Sequence, residues 1–156
     1  MIAMSGRAKR DLIYYLFFPL SLFYMEMVLK VYCFNILIDK GFWYTLLFTV
    51  VIGLVVMVLS SVWSRKTNRV ISIILMLLAT LIIGVQTVYY TIFNTFTTLF
   101  SVSDAGEVLG EFWKDALLGI WHSIIPLVLV FIPLILLIAF GKRFQPEEKL
   151  SVERVI

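Results

Sequence analysis

Charge is scarce in this chain, and the side chains that usually carry chemistry are scarcer. Only 15% of its 156 residues are Asp, Glu, Lys or Arg. There is one cysteine, Cys33, and one histidine, His122. A lone cysteine excludes an internal disulfide and leaves the redox compartment unreadable. One Cys and one His fall short of the roughly four ligands that a structural zinc site needs. The eight glycines are scattered and form no phosphate-cradling loop. No nucleophile, base and orienting group stand in a recognisable set. The expectation is a chain with no catalytic residue, no metal ligand and no cofactor of its own. The net charge of +3 is too small to point to nucleic acid.

What is abundant is apolar surface, 62% of the residues, well above a soluble domain. It falls in long runs separated by short charged clusters. Such runs have no polar face to turn to water, and a bilayer is the solvent that suits them. About 20 apolar residues cross the hydrocarbon core. Four windows reach that length, 12–34, 41–63, 70–93 and 117–140. The expected fold is all-α and integral to the membrane. Residues 1–11 and 141–156 form tails around a four-helix domain, 12–140. The basic N-terminus resembles a signal peptide, but the run after it is too long and no cleavage site follows. It is read as a retained first helix.

Basic residues set the expected direction. Arg7, Lys9 and Arg10 precede the first window; Arg65, Lys66 and Arg69 join the second to the third; Lys142, Arg143, Lys149 and Arg154 follow the fourth. The other two connections hold Lys40 and Lys114. This alternation fits the positive-inside rule. It predicts a multi-pass protein of the cell membrane with both termini cytoplasmic. Trp43, Tyr44, Trp63, Tyr89, Tyr90, Trp113 and Trp121 stand near window ends, where amphipathic rings meet headgroups.

The outer connector, 94–116, has a pattern of its own. Ser103 and Asp104 offer N-cap oxygens, and Glu107 stands three residues after Asp104, as in a capping box. Beyond it, Val108, Leu109, Phe112, Trp113, Ala116 and Leu117 form an apolar stripe opposite Glu107, Glu111, Lys114 and Asp115. The pattern predicts an amphipathic helix in the outer interface, between the third and fourth spans. The competing reading is an outward continuation of the fourth span.

Polar residues at membrane depth are few. Glu26 is the sharpest, since a carboxylate there defaults to a functional reading. Lys30 lies one helical turn later in the favourable order for an ion pair. An internal ion pair is the leading reading. A lipid-headgroup site is the second and a proton-coupled site the third. Trp113 and His122 are read as interface residues at the outer start of the fourth span. Gln86 is expected to bond across helices, and Pro19, Pro126 and Pro133 to kink theirs.

The segment FYMEMVLKVYCF at 23–34 resembles the first helix of the lipoteichoic acid synthase family. The likeness extends through VQTVYYTIFNTFTTLFSV at 85–102, AGEVLGEFWKDALLGI at 105–120 and GKRF at 141–144. It covers about 11–144 and rests on order and texture rather than an invariant motif. The resemblance implies the N-terminal membrane domain of a sulfatase-superfamily enzyme of the Gram-positive envelope. Family members carry about five spans and then an extracellular domain with a divalent metal, usually manganese, and a threonine nucleophile. That domain moves glycerol phosphate from phosphatidylglycerol to a growing polymer.

This sequence departs from the pattern after its fourth span, and no metal ligand or nucleophile carries over. The resemblance thus implies an anchor domain whose partners are the bilayer, phosphatidylglycerol and an extracellular sulfatase-like domain. Whether the chain is a fragment or a stand-alone relative is left open. Two other classes compete. A small transporter would use Glu26, as the four-span small multidrug resistance family uses a first-helix glutamate. A non-catalytic scaffold would hold envelope enzymes together.

Overall fold

A computed structural model describes residues 6–35, 38, 41–59, 65–96 and 113–144. Every regular element among them is an α-helix. In chain order these are α1 (Gly6–Phe34), α2 (Gly41–Leu59), α3 (Arg65–Phe93), α4 (Trp113–His122) and α5 (Ile124–Phe144). Three segments are long and apolar enough to cross a membrane: Leu16–Phe34 in α1, Lys66–Phe93 in α3 and Ile124–Gly141 in α5. The apolar run of α2, Gly41–Val56, is shorter.

Helices start and stop for local reasons. α1 and α3 each end on a Phe-Asn pair. Asn35 and Asn94 adopt φ of 53° and 51°, the left-handed conformation that asparagine tolerates at a helix C-terminus. Their amides bond back to Val31 O at 2.9 Å and Tyr90 O at 2.8 Å. After Asn94 the chain reverses, and Phe96 returns onto Phe34 and Tyr90, with ring centroids 5.7 and 5.1 Å away.

α1 is the hub, touching α2, α3 and α5. Its buried positions Phe18, Met25 and Leu29 recur at helical spacing and meet Met76 and Ile83 of α3 and Val130, Leu134 and Leu137 of α5. Neighbours in sequence run antiparallel. Pro19 meets Gly53 while Phe23 meets Phe42 at 5.6 Å. Arg69 reaches Ile138 while Thr91 meets Ser123. The N-terminal ends of α1 and α3 and the C-terminal end of α5 therefore share one end of the bundle, here the basic end. The aromatic end holds the close of α1 and α3, the start of α2 with exposed Trp43 and Tyr44, and α4 with exposed Trp113 and Trp121.

Packing is close because the touching faces carry small residues. A Cβ on Gly53 would lie 2.6 Å from Pro19 Cα, inside the backbone of α1. A Cβ on Gly119 would lie 2.7 Å from Ile92 Cγ1. Three buried threonine hydroxyls bond their own helix. Thr49 Oγ1 donates to Thr45 O at 2.9 Å, Thr80 to Met76 O at 2.8 Å and Thr87 to Ile83 O at 2.7 Å. Each spends its proton one turn back, and Thr80 Oγ1 also lies 3.8 Å from Met25 Sδ of α1. Large apolar side chains such as Leu20, Ile82 and Ile125 point outward. That distribution is the reverse of a water-soluble bundle and suits a lipid exterior.

Several boundaries differ from the sequence reading. α1 starts at Gly6 and α3 at Arg65, because helix propensity carries Arg and Lys without difficulty where hydropathy does not. The run expected at 117–140 is two helical pieces meeting at Ser123. Pro126 has no N–H, so the bond it would make to His122 O is missing. The i→i−4 bonds on either side persist, Ser123 N to Gly119 O and Leu127 N to Ser123 O, both 3.0 Å. Through Pro19 and Pro133 the helical pattern runs on without a break. The expected capping box and half of the amphipathic stripe fall at 97–112, outside the described residues. The part inside them, 113–117, belongs to α4, which packs on α3 through Gly119 against Val88 and Ile92.

Candidate functional site

Two polar foci stand on α1. The first holds Glu26 and Lys30, both half-buried. They lie one turn apart, and their charges interact. At about 100° per residue, they share a stripe with Pro19 and Phe23, the residues that meet α2. Antiparallel pairing places this stripe beside the small face of α2, where Thr45 and Thr49 bond their own helix. The charged couple thus stands on the stripe of α1 that carries Pro19 and Phe23 to α2.

The second focus lies toward the aromatic end, where α1, α3 and the α4–α5 junction converge. Its members are Tyr32, Thr91 and Ser123. Thr91 Oγ1 and Ser123 Oγ are 2.7 Å apart. Tyr32 Oη lies 3.3 Å from Thr91 Oγ1, 3.4 Å from Ser123 Oγ and 3.4 Å from His122 O. The protons can be assigned. Thr91 donates to Thr87 O at 2.9 Å, so Ser123 donates to Thr91. Tyr32 then donates to His122 O, the carbonyl that Pro126 leaves without its helical partner. At 3.4 Å this is a long bond. Three hydroxyls, from α1, α3 and the α4–α5 junction, therefore gather at the gap left by one proline.

The sequence-derived interface residues lie nearby without joining this cluster by their side chains. His122 is exposed, and its Nδ1 lies 2.8 Å from Leu118 O. A carbonyl only accepts, so Nδ1 carries the proton. Trp113 is exposed, with Lys114 Nζ 5.6 Å from its ring centroid. Lys30 and Glu26 precede Tyr32 on α1 by two and six residues, and at about 100° per residue both fall on the far side of the helix from it, so the four candidates do not converge on one pocket. Tyr32, Thr91 and Ser123 were absent from the sequence reading. The signal for them was Pro126, which orphans the carbonyl four residues back.

Near the basic end, Arg69 Nη2 donates to Ile138 O at 3.3 Å, and its buried Nε has no partner among the described residues. A cation there faces the closing turns of α5, where the helix dipole favours it. Among the described residues no group of three or more His, Cys, Asp or Glu is placed to hold a metal.

An apolar cleft of about 450 Å³ opens between α1 and α5. Neither Glu26 nor Lys30 lines it. Chemically, then, the described residues offer a packed interior, one charged couple on α1, one hydroxyl knot and one apolar cleft.

Comparison with protein-family models, with curated proteins and with solved structures finds no match to this chain. The class is therefore set by the molecule itself, an all-helical bundle with three helices long and apolar enough to cross a membrane.

Proposed function

We propose that this chain is a multi-pass membrane anchor, similar to the membrane domain of lipoteichoic-acid-synthase-like proteins, that holds envelope machinery at the cell membrane without performing catalysis. In this reading α2 is a fourth span. Its 19 residues reach about 28 Å, close to the roughly 30 Å hydrocarbon core. The basic end, with both termini, faces the cytoplasm. Trp43, Tyr44, Trp113 and Trp121 lie at the outer headgroups. An extracellular sulfatase-like domain with its manganese, acting on phosphatidylglycerol, would work above that aromatic end.

The observation that carries the reading is the closeness of the helix seams. Gly53 against Pro19 and Gly119 against Ile92 leave no room for a Cβ. The buried threonines along α2 and α3 are bonded to their own helices. A bundle locked this way suits a fixed platform.

The transporter reading keeps one observation in its favour, the half-buried Glu26. Proton-driven efflux of cationic dyes from vesicles containing the purified chain separates the two. The anchor reading expects no uptake or efflux above empty vesicles, and no change in Glu26→Gln. Efflux that Glu26→Gln abolishes would replace the anchor with a transporter.

A further inference from the structure

The hydroxyl knot at the α4–α5 junction holds more lone pairs than protons. Tyr32, Thr91 and Ser123 bring one proton each, and Thr91 gives its own to Thr87 O. Against the remaining two stand three hydroxyl oxygens and His122 O, which Pro126 leaves without a helical donor. Such a set has room for one more electropositive partner, and the spacing says which kind. Tyr32 Oη lies 3.3 Å from Thr91 Oγ1, 3.4 Å from Ser123 Oγ and 3.4 Å from His122 O. An O–H···O bond prefers about 2.7–2.8 Å, so these are poor hydrogen bonds. A bridging water fits no better. Its two O–H bonds stand about 105° apart, so it wants acceptors about 4.4 Å from each other. A cation held by oxygens at about 2.4 Å wants neighbouring ligands about 3.4 Å apart, the edge of an octahedral shell. One point can lie about 2.4 Å from Tyr32 Oη, Thr91 Oγ1 and Ser123 Oγ together.

The donor set fixes the charge. All four ligands are oxygens, which selects a hard ion. None is a carboxylate, and divalent sites of this size draw on carboxylate charge. A monovalent ion of calcium's size is sodium. Carbonyls freed where a membrane helix is broken serve as sodium ligands in transporters. Ser123 is fully buried and Tyr32 is exposed, so the site is floored by protein and open on one side. We propose that Tyr32 Oη, Thr91 Oγ1, Ser123 Oγ and His122 O bind one sodium ion, which ties α1 and α3 to the α4–α5 junction. On binding, the Tyr32 proton turns from His122 O toward the exposed side, and all four oxygens direct lone pairs inward. The site stands whether the chain anchors or transports.

The test uses the purified full chain in neutral detergent micelles, unfolded by heat in rising sodium chloride, with ionic strength held constant by N-methylglucamine chloride. Sodium should raise the unfolding temperature along a saturating curve. At ten times the dissociation constant, the folded-to-unfolded ratio should rise about tenfold. Potassium, a larger ion, should do much less. Tyr32→Phe removes one ligand and keeps the ring. Pro126→Ala leaves every hydroxyl in place and supplies the amide that would occupy His122 O. Both should flatten the sodium response, whatever they do to stability without sodium. Thr45→Val, which removes a hydroxyl bonded within α2, should keep it.

No sodium-specific rise in wild-type protein would overturn the proposal without any variant. A potassium response equal to sodium's would overturn it through the size argument, and calcium stabilising more than sodium at equal concentration would do so through the charge argument. A sodium response that survives Tyr32→Phe or Pro126→Ala would place the ion elsewhere and end the proposal too. The two variants act on different ligands, so either one decides if the other fails to fold.

Discussion

Tyr32 has one proton and three oxygens within 3.4 Å of its own. It can satisfy only one of them, and His122 O is the one whose helical donor Pro126 cannot supply. Tyr32→Phe should therefore cost about 0.6 kcal/mol, with about 1.7 kcal/mol as an upper limit, as for interhelical bonds in membranes generally. Ser123→Ala should cost a similar amount, because it removes the short bond to Thr91. The double variant should cost less than the sum, since the two bonds belong to one network. Unfolding of purified protein in mixed micelles measures all three, and strict additivity would show that the knot is not coupled. This cluster was hidden in the sequence because Tyr32 and Thr91 lie 59 residues apart. Local reading sees a Tyr, a Thr and a Ser, each ordinary in an apolar helix. Only the orphaned carbonyl before Pro126 was legible, and it says that a donor is wanted without saying which. Glu26 and Lys30 were the opposite case, since their one-turn spacing is a local fact. Either Glu26→Gln or Lys30→Met alone should destabilise the bundle by up to about 3 kcal/mol, by leaving one charge without its neighbour. The double variant Glu26→Gln/Lys30→Met should recover most of that loss in the same unfolding assay. A double variant worse than both singles would show that each residue has a separate partner.

At the scale of helices, the glycines grade the seams. A Cβ at Gly53 meets α1 backbone at 2.6 Å, one at Gly119 meets the tip of Ile92 at 2.7 Å, and one at Gly84 meets Leu127 at 3.4 Å. Backbone cannot yield, and side-chain tips can. Alanine at Gly53 should thus cost the most, about 1–3 kcal/mol as overpacking does. Gly119→Ala should cost less, and Gly84→Ala should be near neutral. Thermal unfolding of the three variants checks the order, and a Gly53→Ala protein as stable as wild type would remove the close α1–α2 contact from the account. Helix existence was readable because apolar windows of spanning length have no other use. The exits at Phe34 and Phe93 and the entry at Gly41 were readable for the same reason. The pairing of Gly53 with Pro19 was not, because hydropathy reports how apolar a helix is and is silent about which face meets which neighbour. The division at Ser123 was half readable. Pro126 announces a lost bond, but nothing local says that the helix recovers within one turn while Pro133 passes without interruption.

Across the whole molecule, among the described residues, the basic helix ends and the exposed tryptophans gather at opposite ends, with Lys114 and Asp115 of α4 beside the latter. The antiparallel pairing of α1 with α2, and of α3 with α5, gathers the Arg- and Lys-bearing helix ends on one side. The same pairing gathers Trp43, Tyr44, Trp113 and Trp121 on the other. The alternation of basic clusters along the chain and the up-and-down path of the helices agree, though one comes from composition and the other from contacts. In the proposed arrangement the four spans are one consequence of that agreement, and the cytoplasmic termini are another. The most direct test is the sidedness of α2. Single cysteines replace exposed Tyr44 at its start and exposed Thr67 beyond its end, in a Cys33→Ser background, and intact cells are treated with a membrane-impermeant maleimide. The account predicts that Tyr44→Cys is labelled from outside and that Thr67→Cys is labelled only after the membrane is opened. Labelling of Thr67→Cys in intact cells, or of both positions from the same side, would contradict it.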